Sequence, residues 1–322
     1  MTAYLPTAAL ANIFQSGNET FQYVTLSDPG QQNTLAYSIN NLGEITGYAY
    51  NSGGDIGFTY SAGHFSQPSQ YAVAGFDSTD IYGVNDAGTL VGSYYNQSDP
   101  SIVNAYLVSN GVPQLYDKLQ SEYYGINNNG AIVGTAYSGS VANNTFAAAG
   151  FFLNGSNSSP VSYPGALTYP HGVNDSDSIV GFYETNNGSI HTYTAFQTVP
   201  GCVIAACFKT LGLPGASSSF AYGINDSGLV VGASVANGIS QGFIDNAGAY
   251  STIDIPGALD TYVTGINDQG QIVGWYKAPD QTYQAFEASP VPEPAFSRWQ
   301  AVMLLSLLAG IKICIKRRAL AA

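Results

Sequence analysis

Charged side chains are scarce in this chain, at 9% of its 322 residues, where an average soluble protein has about a quarter. Cations are scarcer still. Before residue 290 there is no arginine, and lysine occurs only at 118, 209 and 277, whereas twenty of the 21 acids lie in that stretch. So acidic a body lacks the basic footprint that phosphate backbones require, which excludes nucleic-acid binding. It is equally unsuited to an anionic membrane surface. Catalytic signatures are missing too: the sequence has no Gly-x-Ser-x-Gly, P-loop, His-Glu-x-x-His or paired Cys-x-x-Cys. Its three histidines, His64, His171 and His191, fall in separate contexts without a ligand set. No catalytic residue, metal or cofactor is therefore expected. Only three cysteines occur. Cys202 and Cys207 fall in an apparent loop insertion, where they can close a small disulfide in an oxidising compartment or remain free thiols.

What the chain does have is a repeat. Six copies follow the pattern small residue, Ile or Val, Asn, Asn or Asp, any, Gly, any, aliphatic, aliphatic, Gly, with local variations. They run from Ser38 to Gly47, Gly83 to Gly92, Gly125 to Gly134, Gly172 to Gly181, Gly223 to Gly232 and Gly265 to Gly274. Their anchoring asparagines are Asn40, Asn85, Asn127, Asn174, Asn225 and Asn267. Each copy reads as a hairpin, because the aliphatics favour extended backbone and Asn-Asp-x-Gly between them supplies turn chemistry. Asp177 replaces the turn glycine in the fourth copy, and Asp is one of the few other residues that tolerates positive φ.

A second strand pair follows each copy, clearest at Ser240–Ile244 and Tyr250–Asp254. Four short strands per unit of about 45 residues is the arithmetic of a propeller blade. Adjacent apolar residues such as Val230 and Val231 suit strands covered on both faces. The last unit stops one strand short, and the missing strand, Phe21 to Leu26 ahead of Pro29-Gly30, stands at the N-terminus. The expected fold is all-β: a six-bladed β-propeller over residues 20–288, closed by that N-terminal strand and followed by a single C-terminal apolar helix. An open β-solenoid is the alternative.

The repeat Gly-Ile-Asn-Asp-x-Gly-x-Ile-Val-Gly resembles that of the HAF family of extracellular repeat proteins, a likeness that covers residues from about 20 to 288 and implies fold rather than activity. Beyond residue 288 the composition changes. A Pro-rich linker over 289–298 carries Val291, Pro292, Glu293 and Pro294. An apolar segment over 299–318 follows, interrupted by Lys312 and ending in Lys316, Arg317 and Arg318. Its apolar run of seventeen residues, Trp299 to Ile315, is just short of a bilayer core, and the basic end holds that side in the cytoplasm. This tail is similar to the PEP-CTERM sorting signal. The resemblance implies an exosortase-type partner that cuts near Pro292-Glu293-Pro294, transient anchoring in the inner membrane, and release to the cell surface or extracellular matrix. An uncleaved single-pass anchor is the alternative.

One column of residues points to a ligand. Immediately before the small residue of each copy stand Tyr37, Tyr82, Tyr124, His171, Tyr222 and Thr264. If they face a common axis, they form a ring of amphipathic side chains suited to stacking on sugars and hydrogen-bonding hydroxyls. Packing between blades is the competing explanation. The recurring acids Asp86, Asp175, Asp226 and Asp268 are assigned to turns, tens of ångströms apart. The expected function is thus a non-enzymatic, exported protein that binds or organises exopolysaccharide. A glycan-active enzyme using Glu44, Glu122 or Glu184, and a protein-binding scaffold, are the other readings. Residues 1–19 have the small-x-small Ala9-Leu10-Ala11 of a signal cleavage site but no basic, apolar leader. The reading frame upstream of Met1 is therefore expected to encode one, and a gene sequence with no in-frame apolar extension rejects that expectation.

Overall fold

The computed structural model describes residues 12–66, 70–138, 147–187, 190–211 and 213–291. Pro292, Glu293, Pro294, Arg317, Arg318, the C-terminal apolar segment and residues 1–11 lie outside the described residues. No helix among the described residues is long and apolar enough to cross a membrane.

The chain is a β-propeller built from antiparallel sheets around one axis. Strands β1 (Asn12–Ser16) and β2 (Glu19–Leu26) open it. Next come β3 (Asn33–Ile39), β4 (Ile45–Asn51), β5 (Gly54–Ser61) and β6 (His64–Phe65) in a sheet of four. They are followed by β7 (Ser78–Val84), β8 (Leu90–Asn96), β9 (Asp99–Ser109), β10 (Val112–Ile126), β11 (Ile132–Ser138), β12 (Ala147–Asn154) and β13 (Asn157–Val161), all in one sheet of seven. A sheet of four holds β14 (Leu167–Val173), β15 (Ile179–Asn187), β16 (Ile190–Thr198) and β17 (Phe208–Thr210). Another holds β18 (Ser218–Ile224), β19 (Val230–Ala236), β20 (Ile239–Asn246) and β21 (Ala249–Ile253). The last sheet runs β1-β2-β24-β23-β22, from β22 (Asp260–Ile266), β23 (Ile272–Lys277) and β24 (Tyr283–Pro290).

Four sheets thus stand as separate blades, and the seven-stranded one does not divide. This differs from the six separate blades expected from the repeat. The cause is β10, whose first half pairs with β9 and whose second half pairs with β11, with a register shift between Tyr116 and Gln120. One unbroken strand carries the chain from the rim of one unit to the axis of the next. The innermost strands form a closed circuit: β3 packs on β7, β7 on β10, β10 on β14, β14 on β18, β18 on β22, and β22 back on β3.

The ends of the chain meet in one sheet. Phe21 to Leu26 pair with Pro290 to Ala285, so β2 joins the C-terminal strands. Strand β1, within the stretch read from sequence as a leader, adds a further strand outside β2. Phe14 stacks on Phe21 with ring centres 5.3 Å apart. Both rings are buried with Ile253, Val263, Ile272 and Phe286, between the terminal sheet and its neighbour. The central valines fit this sandwich, since Val230 and Val231 are both fully buried on opposite faces of β19.

The repeat's glycines follow from close approach and turn geometry. A Cβ on Gly125 would lie 2.5 Å from the His171 carbonyl oxygen of the next inner strand, so only glycine lets the two backbones meet at the axis. In the turn, Gly88 has φ +70°, and Asp177 at the equivalent place has φ +59°.

Phe21→Ala is expected to cost about 3–5 kcal/mol of unfolding free energy, because it empties the seam that ties the two ends of the chain together. Urea denaturation of the two proteins measures it, and a loss below about 1 kcal/mol would mean that the N-terminal strand does not hold the ring.

Candidate functional site

Two rings of hydrogen bonds lie at one end of the axis, where the six repeat turns converge. Each anchoring asparagine uses both ends of its amide. Its Oδ1 accepts backbone N–H groups of its own turn, as from Leu42 and Glu44 onto Asn40. Its Nδ2 donates to the backbone carbonyl of the anchoring asparagine in the next turn. The circuit runs Asn40 to Asn85, Asn127, Asn174, Asn225, Asn267 and back to Asn40, at 2.9–3.1 Å. All six are buried.

The following residue in each turn makes a parallel circuit. The backbone N–H of Asn41 donates to Asp86, Asp86 to Asn128, Asn128 to Asp175, Asp175 to Asp226, Asp226 to Asp268, and Asp268 to Asn41. The acids are therefore not tens of ångströms apart, as expected from sequence. The hairpins lean their tips together at the axis, so each carboxylate meets the next turn. Burial raises Asp226, with its Asp268 and Asp175 neighbours adding to the shift.

The Tyr column lies just inward of these turns, and a backbone irregularity aims it. In every inner hairpin the strand register slips by one residue, between Ala36 and Ser38, Ile81 and Gly83, Tyr123 and Gly125, Pro170 and Gly172, Ala221 and Gly223, Val263 and Gly265. The residue left out of the pairing each time is Tyr37, Tyr82, Tyr124, His171, Tyr222 or Thr264. A β-bulge turns its extra side chain away from the ordinary pleat, and here all six turn to the axis. They meet there: ring centres are 5.1 Å apart for Tyr37 and Tyr82, 5.2 Å for Tyr82 and Tyr124, 4.2 Å for Tyr124 and His171, and 5.4 Å for His171 and Tyr222. Thr264 completes the circle and ties it, donating from Oγ1 to the Ala36 carbonyl at 2.8 Å.

The ring separates two spaces. On the turn side is a cleft of about 100 Å³ bounded by the asparagine turns. On the other side is a funnel of about 530 Å³ whose wall continues through Tyr137, Tyr169, Phe182, Glu184, Tyr193, Phe220 and Trp275. A second tier of acids supports it. Glu122 accepts hydrogen bonds from the hydroxyls of Tyr124 and Tyr137, both 2.5 Å. Tyr82 donates to buried Asp80 at 2.9 Å. Glu184 contacts His191 and accepts from Tyr169 at 3.4 Å. Burial holds Asp80 well above the usual carboxylate range, reinforced by the charges of Asp55 and Glu122. Burial drives His171 down to about 3, so its imidazole is neutral. Burial and the neighbouring carboxylates raise the Tyr82 and Tyr124 phenols.

Of the acids proposed for catalysis, Glu184 is brought to the funnel wall and Glu122 lies behind it against Tyr124 and Tyr137, whereas Glu44 follows the Asn40 turn at the opposite end. Sequence reasoning missed Asp80, Tyr169 and Phe220. They stand two residues before the column, hence on the same strand face, and the two-residue alternation was the available signal. It also missed Trp275 and Phe182, one residue past the last glycine of the repeat. Among the described residues no group of three His, Cys, Asp or Glu side chains could hold a metal ion. Cys202 and Cys207 are bonded, with Cα atoms 5.9 Å apart, in the loop leading to β17. Val291 ends the last sheet, its N–H donating to Thr20 at 2.7 Å.

No protein-family model and no curated protein matches the chain. Solved structures do resemble it. The β-propeller domain of the Trilobed protease from Pyrococcus furiosus, described as having an open velcro topology, superposes with a TM-score of 0.50 at 10% identity, covering 89% of this chain and 95% of that one. SapL1 lectin in complex with alpha methyl fucoside gives 0.51 at 11% identity, over 80% and 92% of the two chains. A mutant of AofleA from Arthrobotrys oligospora gives 0.50 at 13% identity, over 85% and 90%. At such identities the likeness is one of fold.

Asn225→Ala breaks both the inward and the neighbouring bonds of one turn and is expected to cost about 1–3 kcal/mol, read by urea denaturation. A loss no larger than that of an exposed Asn→Ala control would argue against the ring. Protonation gives a second test. Asp80 has a folded pKa above its unfolded value, so stability falls as pH rises from the ordinary carboxylate pKa, about 4, toward the raised value. His171 has a lowered folded pKa, so stability falls as pH drops from about 6.5 toward 3. Asp80→Asn should flatten the first slope and His171→Phe the second; unchanged slopes in denaturation curves between pH 4 and 8 would contradict both assignments.

Proposed function

We propose that this chain is an exported, non-enzymatic β-propeller protein that binds extracellular polysaccharide in its axial funnel. The observation that carries the reading is the ring Tyr37, Tyr82, Tyr124, His171 and Tyr222 at the floor of an open cavity of about 530 Å³. Flat faces with polar tips match a sugar, which offers apolar C–H faces and hydroxyls at its edge. Burial keeps His171 neutral, so that it stacks and hydrogen-bonds rather than carrying charge. A lectin with bound fucoside among the structural neighbours is in keeping with this class of ligand.

The finer architecture belongs to the same proposal. The seven-stranded sheet is counted as two blades that share β10, which with the four separate sheets makes six, in register with six repeat turns. The HAF-like repeat and the PEP-CTERM-like tail supply the destination: insertion of the C-terminal apolar helix into the inner membrane, processing near Pro292-Glu293-Pro294 by an exosortase-type enzyme, and delivery to the cell surface or biofilm matrix.

A glycan-active enzyme is the second reading, favoured by one observation: Glu184 lines the funnel and Glu122 stands behind it, holding Tyr124 and Tyr137 of its wall. Two carboxylates facing one sugar are the usual equipment for glycoside hydrolysis.

The full chain is to be tested on a polysaccharide array with product analysis. Binding without turnover is expected, weakened about tenfold or more by Tyr82→Ala or Tyr124→Ala, which corresponds to about 1.4 kcal/mol of contact. Released oligosaccharides would establish the enzyme reading instead, and unaltered affinity in both variants would remove the ring from binding. Mass spectrometry of the mature protein checks the tail: retention of Arg318 rejects cleavage.

A further inference from the structure

The carboxylates at the funnel meet no lysine or arginine among its described lining side chains, and Glu184 has His191 as its contact. Glu184 forms part of the wall itself. Glu122 stands directly behind it, holding the hydroxyls of Tyr124 and Tyr137, which do line it. Asp80 accepts from Tyr82 one unit earlier, but burial holds its carboxyl well above the usual carboxylate range, so it is not counted among these charges. Among the described residues no lysine or arginine lines the cavity, and the one imidazole in its ring is neutral. Lys209 is on β17 and Lys277 at the outer end of β23, paired in register with Asp260 and Tyr283.

Such a cavity favours one kind of sugar over others. The faces of tyrosine and tryptophan rings carry negative potential and attract a cation within about 6 Å. Carboxylates beneath them deepen that potential, and low-dielectric walls concentrate it. A neutral sugar makes no use of this field, and a uronic acid is repelled by it. An ammonium group on the sugar ring gains from both the aromatic faces and the carboxylates, while the ring itself still stacks.

We infer that the funnel selects saccharides bearing free amines, that is, polymers of unacetylated amino sugars, through Glu122, Glu184 and the aromatic ring. The inference rests on the saccharide reading of the same cavity and goes beyond it in naming the ligand's charge.

The test is calorimetric titration of the full chain with four tetrasaccharides at a pH where the amine is protonated: glucosamine, N-acetylglucosamine, glucose and galacturonate. The glucosamine tetramer is expected to bind at least tenfold more tightly than its N-acetylated form, and the galacturonate tetramer most weakly. The glucosamine to N-acetylglucosamine affinity ratio should fall toward one in Glu122→Gln and Glu184→Gln, and should shrink with added salt. Circular dichroism and the thermal midpoint show whether each variant is folded. Tyr124→Phe, which keeps the ring and removes one hydroxyl from Glu122, provides a milder variant should Glu122→Gln not fold; the ratio should change there too. Equal affinities for the glucosamine, N-acetylglucosamine and glucose tetramers would overturn selection by charge and leave the saccharide reading standing. Preference for the galacturonate tetramer would do the same. No binding by any of the four would overturn the saccharide reading itself.

Discussion

The structure depends on one side-chain amide used six times. Each anchoring asparagine turns its oxygen to its own hairpin and its nitrogen to the next, so a single residue type both shapes a turn and fastens it to its neighbour. An amide is suited to this because it is acceptor and donor at once, with no charge to desolvate. Aspartate at that position would close the turn but has nothing to donate. The circuit returns from Asn267 to Asn40, across 227 residues of sequence, and so closes the ring independently of the β2–β24 pairing. The ends of the chain are thereby held twice, once at the axis and once at the rim.

That belt sets the geometry of what lies beyond it. Because the turns are locked side by side, the inner strands approach closely, and Gly125 and its counterparts give the backbone room to do so. The bulge one residue earlier then has only one direction in which to send its side chain. The aromatic floor of the funnel is thus a consequence of fold closure: the same few residues that join the units also turn Tyr37, Tyr82, Tyr124, His171 and Tyr222 inward. The ring and the closure of the fold are coupled here, since Thr264 of that ring also bonds the neighbouring strand.

The charge scarcity of the chain acquires a location. With few cations available, acids such as Glu122 are met by tyrosine hydroxyls rather than by lysine or arginine. Phenol donors to carboxylates are short and directional, and they leave the carboxylate field in place instead of cancelling it. The abundance of tyrosine, 24 residues, therefore serves two ends, supplying ring faces and neutral partners for acids.

The sequence by itself determined the local elements. Alternating aliphatics, Asn-Asp-x-Gly turns and their six-fold recurrence specify hairpins, since turn chemistry and strand propensity act over a few residues. The complementarity of the first and last strands was legible for the same reason, because one unit lacked what the other end supplied. Tertiary structure alone decided the rest. Sequence could not reveal that the hairpin tips converge, since five of the six asparagine donors meet a carbonyl 42 to 51 residues away and the sixth one 227 residues away. Nor could it reveal the bulge, which is a matter of register between two strands and reverses where one side chain points. The continuity of β10 was equally hidden, for its two halves answer to different partners. Tyr169 and Trp275 became part of a funnel only when the sheets were brought around one axis, a condition no single segment contains.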